Sequence, residues 1–77
     1  MERTINTKKC TYPELFQDIG VGNYLHVKIG AYSKTALQAE LVRQNKYYRI
    51  KTGNAMTTKY RQSVVMKKGY FTIYQQV

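Results

Sequence analysis

Residues 23–29, Asn23-Tyr24-Leu25-His26-Val27-Lys28-Ile29, alternate without interruption: Leu25, Val27 and Ile29 fall on one side of an extended chain, Tyr24, His26 and Lys28 on the other. Successive side chains of a strand point to opposite faces, so a period of two with one apolar side predicts a half-buried β-strand. The inner face must be covered by other elements. The outer face holds a ring, an imidazole and an ammonium.

Upstream, Thr11-Tyr12-Pro13-Glu14 matches a capping box, with Thr11 as N-cap, Glu14 three residues on and Pro13 in the first turn, where its missing N–H costs nothing. This predicts a short helix near 12–18, with Leu15, Phe16 and Ile19 inward and Gly20 and Gly22 as its stop. Residues 1–10 are polar and aperiodic and read as a flexible or edge-lying arm, leaving 11–77 as a single compact basic domain.

Downstream, Gly30 ends the strand and Ser33 is a suitable N-cap for a helix over 34–45, where Leu37, Leu41 and Val42 form a narrow stripe and Arg43 and Lys46 lie on a neighbouring solvent face. From Tyr47 the spacing shortens to two. That predicts a strand over 47–51 with Tyr48 and Ile50 inward and Tyr47, Arg49 and Lys51 outward, followed by a turn at Thr52-Gly53-Asn54. A third strand is expected over 60–66, a tight hairpin at Lys67-Lys68-Gly69, and a fourth strand over 70–77 with Phe71, Ile73 and Val77 on one face and Tyr70, Thr72 and Tyr74 on the other. The expected architecture is α+β: a small, mostly antiparallel sheet in the order α-β-α-β-β-β, with the helices packed on one face. Its expected core is Leu25, Val27, Ile29, Leu37, Leu41, Ile50, Phe71 and Ile73.

Seventy-seven residues allow one domain with a thin core, since a chain this short buries only about 60% of its unfolded surface. With no Trp and only two Phe, the eight Tyr supply most of the aromatic area. The lone cysteine, Cys10, cannot close an intramolecular disulfide, which favours a reducing, cytoplasmic setting. The N-terminus has no apolar signal region and no stretch approaches the length of a membrane span, so no membrane partner is expected.

Charge is distributed unevenly. Residues 1–40 hold all four acids (Glu2, Glu14, Asp18, Glu40) and five bases, a net of +1; residues 41–77 hold eight bases and no acid, a net of +8. Such a field repels itself, and an anionic partner relieves the repulsion.

Chemistry beyond binding is poorly furnished. His26 is the only histidine, and one His with one Cys falls short of a zinc site. The acids are too scattered to suggest a Mg²⁺ or Ca²⁺ cage, and Cys10, though next to Lys8 and Lys9, has no evident base. Gly20-Val21-Gly22 follows a helix where a dinucleotide-binding loop follows a strand, and it lacks the third glycine; no phosphate-binding P-loop is present. No cofactor, metal or catalytic residue is therefore assigned, and the expectation is a protein without enzymatic activity.

The face opposite the helices is expected to interleave rings and cations: Tyr24, His26, Lys28, then Tyr47, Arg49, Lys51, then Tyr70, Thr72, Tyr74. That combination holds single-stranded nucleic acid, because bases stack on rings while Lys and Arg neutralise phosphates. The bland alternative is that Tyr, Lys and Arg are ordinary residues of a sheet surface. The candidate nucleic-acid-binding residues are Tyr24, Lys28, Arg43, Lys46, Tyr47, Arg49, Lys51, Lys59, Arg61, Lys67, Lys68, Tyr70 and Tyr74, with single-stranded DNA or RNA favoured over duplex.

Three alternatives stand beside this one. Helix 34–45 with loop 53–59 as a basic wing would suit duplex DNA. A toxin-type ribonuclease could use Arg49, Lys51, Arg61 and Tyr74 to stabilise a phosphorane-like transition state. A small basic protein of a virus or mobile element could instead bind an acidic surface of a host protein or assembly. The oligomeric state is left open, a homodimer included.

Overall fold

A computed structural model of the chain describes residues 1–17, 19–55 and 58–75. In chain order the elements are strand β1 (Glu2–Ile5), helix α1 (Tyr12–Gln17), strand β2 (Tyr24–Lys28), helix α2 (Lys34–Thr52), strand β3 (Tyr60–Ser63) and strand β4 (Tyr70–Gln75). The fold is α+β, with two helices and one four-stranded sheet ordered β1-β2-β4-β3. β2–β4 and β3–β4 are antiparallel, whereas β1 runs parallel to β2, so the sheet is mixed and not uniformly antiparallel. The expected inward position of Val77, the end of the first helix at Asp18 and the middle of the 53–59 loop lie outside the described residues.

Both helices lie against the sheet face that carries Leu25, Val27, Phe71 and Ile73, closing one cluster with Leu15, Phe16, Ile19, Leu37 and Leu41. Tyr32 and Tyr60 complete it, each with its hydroxyl tied to main chain. The Tyr32 hydroxyl donates to the Cys10 carbonyl (3.0 Å) and accepts from the Lys9 and Cys10 amides (both 3.2 Å), pinning the β1–α1 connection. The Tyr60 hydroxyl donates to the Phe16 carbonyl at 2.8 Å. Burial pushes both phenols above their usual pKa.

At α1 the expected cap forms in altered detail. The Glu14 carboxylate accepts from both the amide (2.9 Å) and the hydroxyl (2.7 Å) of Thr11, and these bonds hold it below the ordinary carboxylate range. The arm of residues 1–10 contributes the edge strand β1.

The largest correction concerns residues 47–51, which are not a strand but the last turns of α2. Ser33 caps the start of this helix by accepting from the Ala36 amide (3.3 Å), and the stop is Gly53, in the left-handed region at φ +71° with its N–H on the Arg49 carbonyl (2.8 Å). No Gly or Pro intervenes between these signals, and an established helix gains a hydrogen bond for every residue it adds. The buried stripe continues through Leu37, Leu41 and Asn45 to half-buried Tyr48, at spacings of four, four and three.

Ile50, expected in the core, is consequently 68% exposed. Ile29 is also exposed, because β2 ends at Lys28 and Tyr32 occupies the space inward. The third strand is shorter than expected, ending at Ser63, and Val64-Val65-Met66 form an exposed loop before the turn at Gly69.

A buried side chain locks the short edge strand to the helix. The Asn45 carboxamide, 4% exposed, accepts from the Tyr60 amide (2.8 Å) and the Lys59 amide (3.1 Å) and donates to the Tyr60 carbonyl (3.0 Å).

Candidate nucleic-acid interface

The helix-free side of the sheet is organised in cross-strand rows set by the pairing register. One row reads Glu2, Tyr24, Tyr74, Arg61 across β1, β2, β4 and β3; the next reads Thr4, His26, Thr72, Ser63; beyond it Lys28 faces Tyr70. Tyr24, Tyr70 and Tyr74 are half-buried, and Lys28 and Arg61 are exposed. The rings of Tyr24 and Tyr74 lie 5.4 Å apart at an interplanar angle of 36°, forming one continuous aromatic patch beside the Arg61 position. At the other end Lys67 sits 4.7 Å from the Tyr70 ring centroid, and the Tyr70 hydroxyl bonds the Asn6 side chain.

The middle row is less accessible than expected. His26 and Thr72, placed on the open face from their alternation, do point that way, yet they are only 3% and 0% exposed. His26 is bonded at both ring nitrogens, Nδ1 to the Thr72 hydroxyl (2.7 Å) and Nε2 to the Glu2 carboxylate (2.6 Å). An ionised carboxylate only accepts, so Nε2 carries the proton donated to Glu2. This bond and the imidazole's charge when protonated hold the Glu2 carboxyl below its ordinary pKa. Hydroxyl, imidazole and carboxylate thus make a chain that resembles a nucleophile–base–acid array in connectivity, but the Thr72 hydroxyl is sealed from any substrate and the chain serves to fasten β1 to the sheet.

The remaining candidates lie elsewhere, because residues 47–51 are helical. Arg43, Lys46, Tyr47, Arg49 and Lys51 belong to α2, on the helix side of the sheet, and Arg49 and Lys51 occupy its last turn, where cations also offset the helix dipole. Arg43 lies 5.5 Å from the Tyr47 ring centroid. Lys59 precedes β3, and exposed Lys68 sits in the turn before β4.

The expected single face is therefore two regions, the Tyr24–Tyr74 face and the basic second half of α2. Of the ribonuclease set, Arg61 and Tyr74 are register partners, but Arg49 and Lys51 do not join them. α1 and α2 are separated by β2 and form no helix-turn-helix, and the loop expected as a wing beside α2 lies partly outside the described residues.

Sequence reasoning missed Asn45, the Glu2–His26–Thr72 chain, and a groove lined by Gln44, Tyr47, Tyr48, Lys51, Thr52, Lys59 and Tyr60. The signal for Asn45 and Tyr48 was present, because they extend the Leu37–Leu41 stripe at helical spacing once the helix is carried through to Gly53.

Among the described residues no group of His, Cys, Asp and Glu is placed to hold a metal ion, and no helix is long and apolar enough to cross a membrane. No protein-family model matches the chain, and neither does any curated protein or solved structure.

Proposed function

We propose that the protein binds single-stranded nucleic acid on the helix-free face of its sheet, without catalysing a reaction. The observation that carries this reading is the Tyr24–Tyr74 pair, partly exposed and in register with Arg61, on the sheet face opposite the helices. Two adjacent rings offer stacking for unpaired bases, which is tolerant of sequence because every base has a π-face. Arg61 adjoins the pair as the register partner of Tyr74, and Lys28 and Lys67 stand by Tyr70 at the other end of the same face, where they suit phosphates further along a strand. Glu2, at the far end of the row from Arg61, keeps an exposed carboxylate that accepts from His26 Nε2, so the cationic end of the row is the β3 end.

The test is a fluorescence-anisotropy titration with labelled single-stranded DNA, single-stranded RNA and duplex over a range of salt. Single strands should bind more tightly than duplex, and log K should fall linearly with log[salt], with a slope of about −0.7 per phosphate neutralised. A salt-independent affinity, or a preference for duplex, would overturn the proposal.

A second reading has its own observation. Val42 and Ile50 are exposed on α2 beside Arg43 and Lys46, a mixture of apolar and basic surface that suits an acidic protein partner, such as a host protein bound by a basic protein of a virus or mobile element. Substitution of Val42 and Ile50 by Gln would abolish that interaction and leave oligonucleotide binding in place.

A further inference from the structure

We infer that the groove between the end of α2 and the start of β3 is a second anchor for the same strand, holding one nucleotide where the chain leaves the sheet. This rests on the single-strand reading above. The groove has a volume of about 370 Å³, inside the range of about 300–1,000 Å³ usual for small-ligand clefts. Its walls are aromatic and cationic: Tyr47 and Tyr48 from α2, Tyr60 from β3, and Lys51 and Lys59. Lys59 Nζ stands 5.3 Å from the Tyr48 ring centroid and 5.4 Å from that of Tyr60, so the ammonium is held over two ring faces and keeps donors for an anion.

The chemistry of the walls specifies a base with its phosphate. No carboxylate lines the groove among the described residues. The nearest acid along the helix, Glu40, is already engaged, accepting from Gln44 Nε2 at 2.7 Å and lying 3.9 Å from the Arg43 guanidinium. The C-terminal end of a helix opposes a phosphate with about half a negative charge. Here the Thr52 hydroxyl and the Gly53 amide bond the Tyr48 and Arg49 carbonyls, and two full positive charges stand against that partial one.

Topology links the groove to the sheet site. The row Tyr24, Tyr74, Arg61 runs across β2 and β4 to β3, the edge strand, a span of roughly 10 Å at about 4.8 Å per strand spacing. The residues immediately before Arg61 are Tyr60 and Lys59, both in the groove wall. A strand stacked along that row and guided by Arg61 passes over the β3 edge to Lys59, so the two regions form one path.

The groove should therefore matter only to strands long enough to reach it. Anisotropy titrations would use oligothymidylates of about three and about eight nucleotides, with the wild type, Tyr47→Ala combined with Lys51→Gln and Lys59→Gln, and Tyr24→Ala combined with Tyr74→Ala. Circular dichroism and thermal melting would verify that each variant folds, and Lys51→Gln alone, at an exposed site, gives a minimally disruptive second variant. The groove variant should lose roughly 5–150-fold in affinity for the longer strand, with its salt slope reduced by about 0.7 per lysine, and should bind the shorter one as the wild type does.

Undiminished binding of the longer strand by a folded groove variant, while the sheet variant loses affinity, would overturn the anchor and leave the sheet site standing. Equal losses for both lengths would overturn the ordered path. Absence of single-strand binding by the wild type would overturn both.

Discussion

Replacing Asn45 by Ala should detach β3 from α2, and the size of the effect follows from the bonds lost. The carboxamide accepts two main-chain N–H groups, from Lys59 and Tyr60, and donates to the Tyr60 carbonyl, from a site 4% exposed. Ala leaves the Tyr60 amide and carbonyl buried without partners, and each such group costs about 1–3 kcal/mol, reduced where water enters the vacated volume. A net loss of about 2–4 kcal/mol is expected, a large share of the 5–15 kcal/mol or so that holds a small domain. In a domain this size that lowers Tm by on the order of 10–25 °C, read by circular dichroism or calorimetry. Hydrogen exchange should show the amides of Lys59 and Tyr60 losing protection ahead of those of β2 and β4. Asn45→Asp provides the control: its ionised carboxylate keeps the two accepting bonds but faces the Tyr60 carbonyl, so it should be destabilised at neutral pH and recover as acid restores a proton that can be donated. A Tm for Asn45→Ala within a degree or so of wild type would refute the clamp and, with it, the account of how Lys59, Tyr60 and Arg61 are positioned.

Tyr24→Ala and Tyr74→Ala should each cost about 1–3 kcal/mol in single-strand affinity and leave duplex affinity nearly unchanged, since paired bases cannot lie on the rings; equal losses on both would point to a structural role. Tyr60→Phe should lower stability by about 0.5–1.5 kcal/mol, measured by urea denaturation, because it removes the bond to the Phe16 carbonyl while the edge-to-face contact with the Phe16 ring at 5.2 Å persists. The raised phenol pKa of Tyr60 means that its stabilising contribution is complete below pH 10.0, the ordinary value, and is lost as pH rises through the folded-state value; the alkaline limb of the stability profile should be shallower in Tyr60→Phe. Glu2 has the opposite sign: its lowered pKa gives a contribution present above 4.5 and lost as pH falls through the folded-state value, so Glu2→Gln should flatten the acid limb, and an unchanged limb would show that the His26 bond does not fasten β1.

The elements legible in the sequence were those with both a pattern and a boundary. β2 had uninterrupted alternation and a closing Gly30, α1 had its capping box, and β4 had Phe71 and Ile73 alternating after the turn at Gly69. Residues 47–51 had a pattern of two without a boundary: nothing between Ser33 and Gly53 stops a helix, and Tyr, Arg and Lys are as suited to a solvated helix face as to a strand. Reading the stop signal before the period would have carried α2 to Thr52. β1 was illegible for a different reason. Its edge position buries little of Glu2-Arg3-Thr4-Ile5, and it is held by the main-chain ladder and by Glu2 to His26, neither of which leaves an apolar pattern. The candidate site divided with the helix: positions on β2 and β4 stayed on the expected face, while Tyr47, Arg49 and Lys51 moved with α2.

The tyrosines show why composition alone could not separate architecture from binding surface. In a chain without Trp, the same residue must fill the core and dress the surface, and what distinguishes the two uses is the hydroxyl. Tyr12, Tyr32 and Tyr60 use theirs on main-chain groups far away in sequence, at Ser33, at Lys9 and Cys10, and at Phe16, so each fastens two segments that a thin core would hold weakly. Substituting any of them tests folding before it tests function. Tyr24 and Tyr74 instead meet each other through their rings across a strand pair whose hydrogen bonds already fix its register, so their exposed ring area is not needed to set the topology. Partly exposed aromatic area that the fold does not require, with Arg61 as the register partner of Tyr74, is what the proposed stacking of a single strand would use.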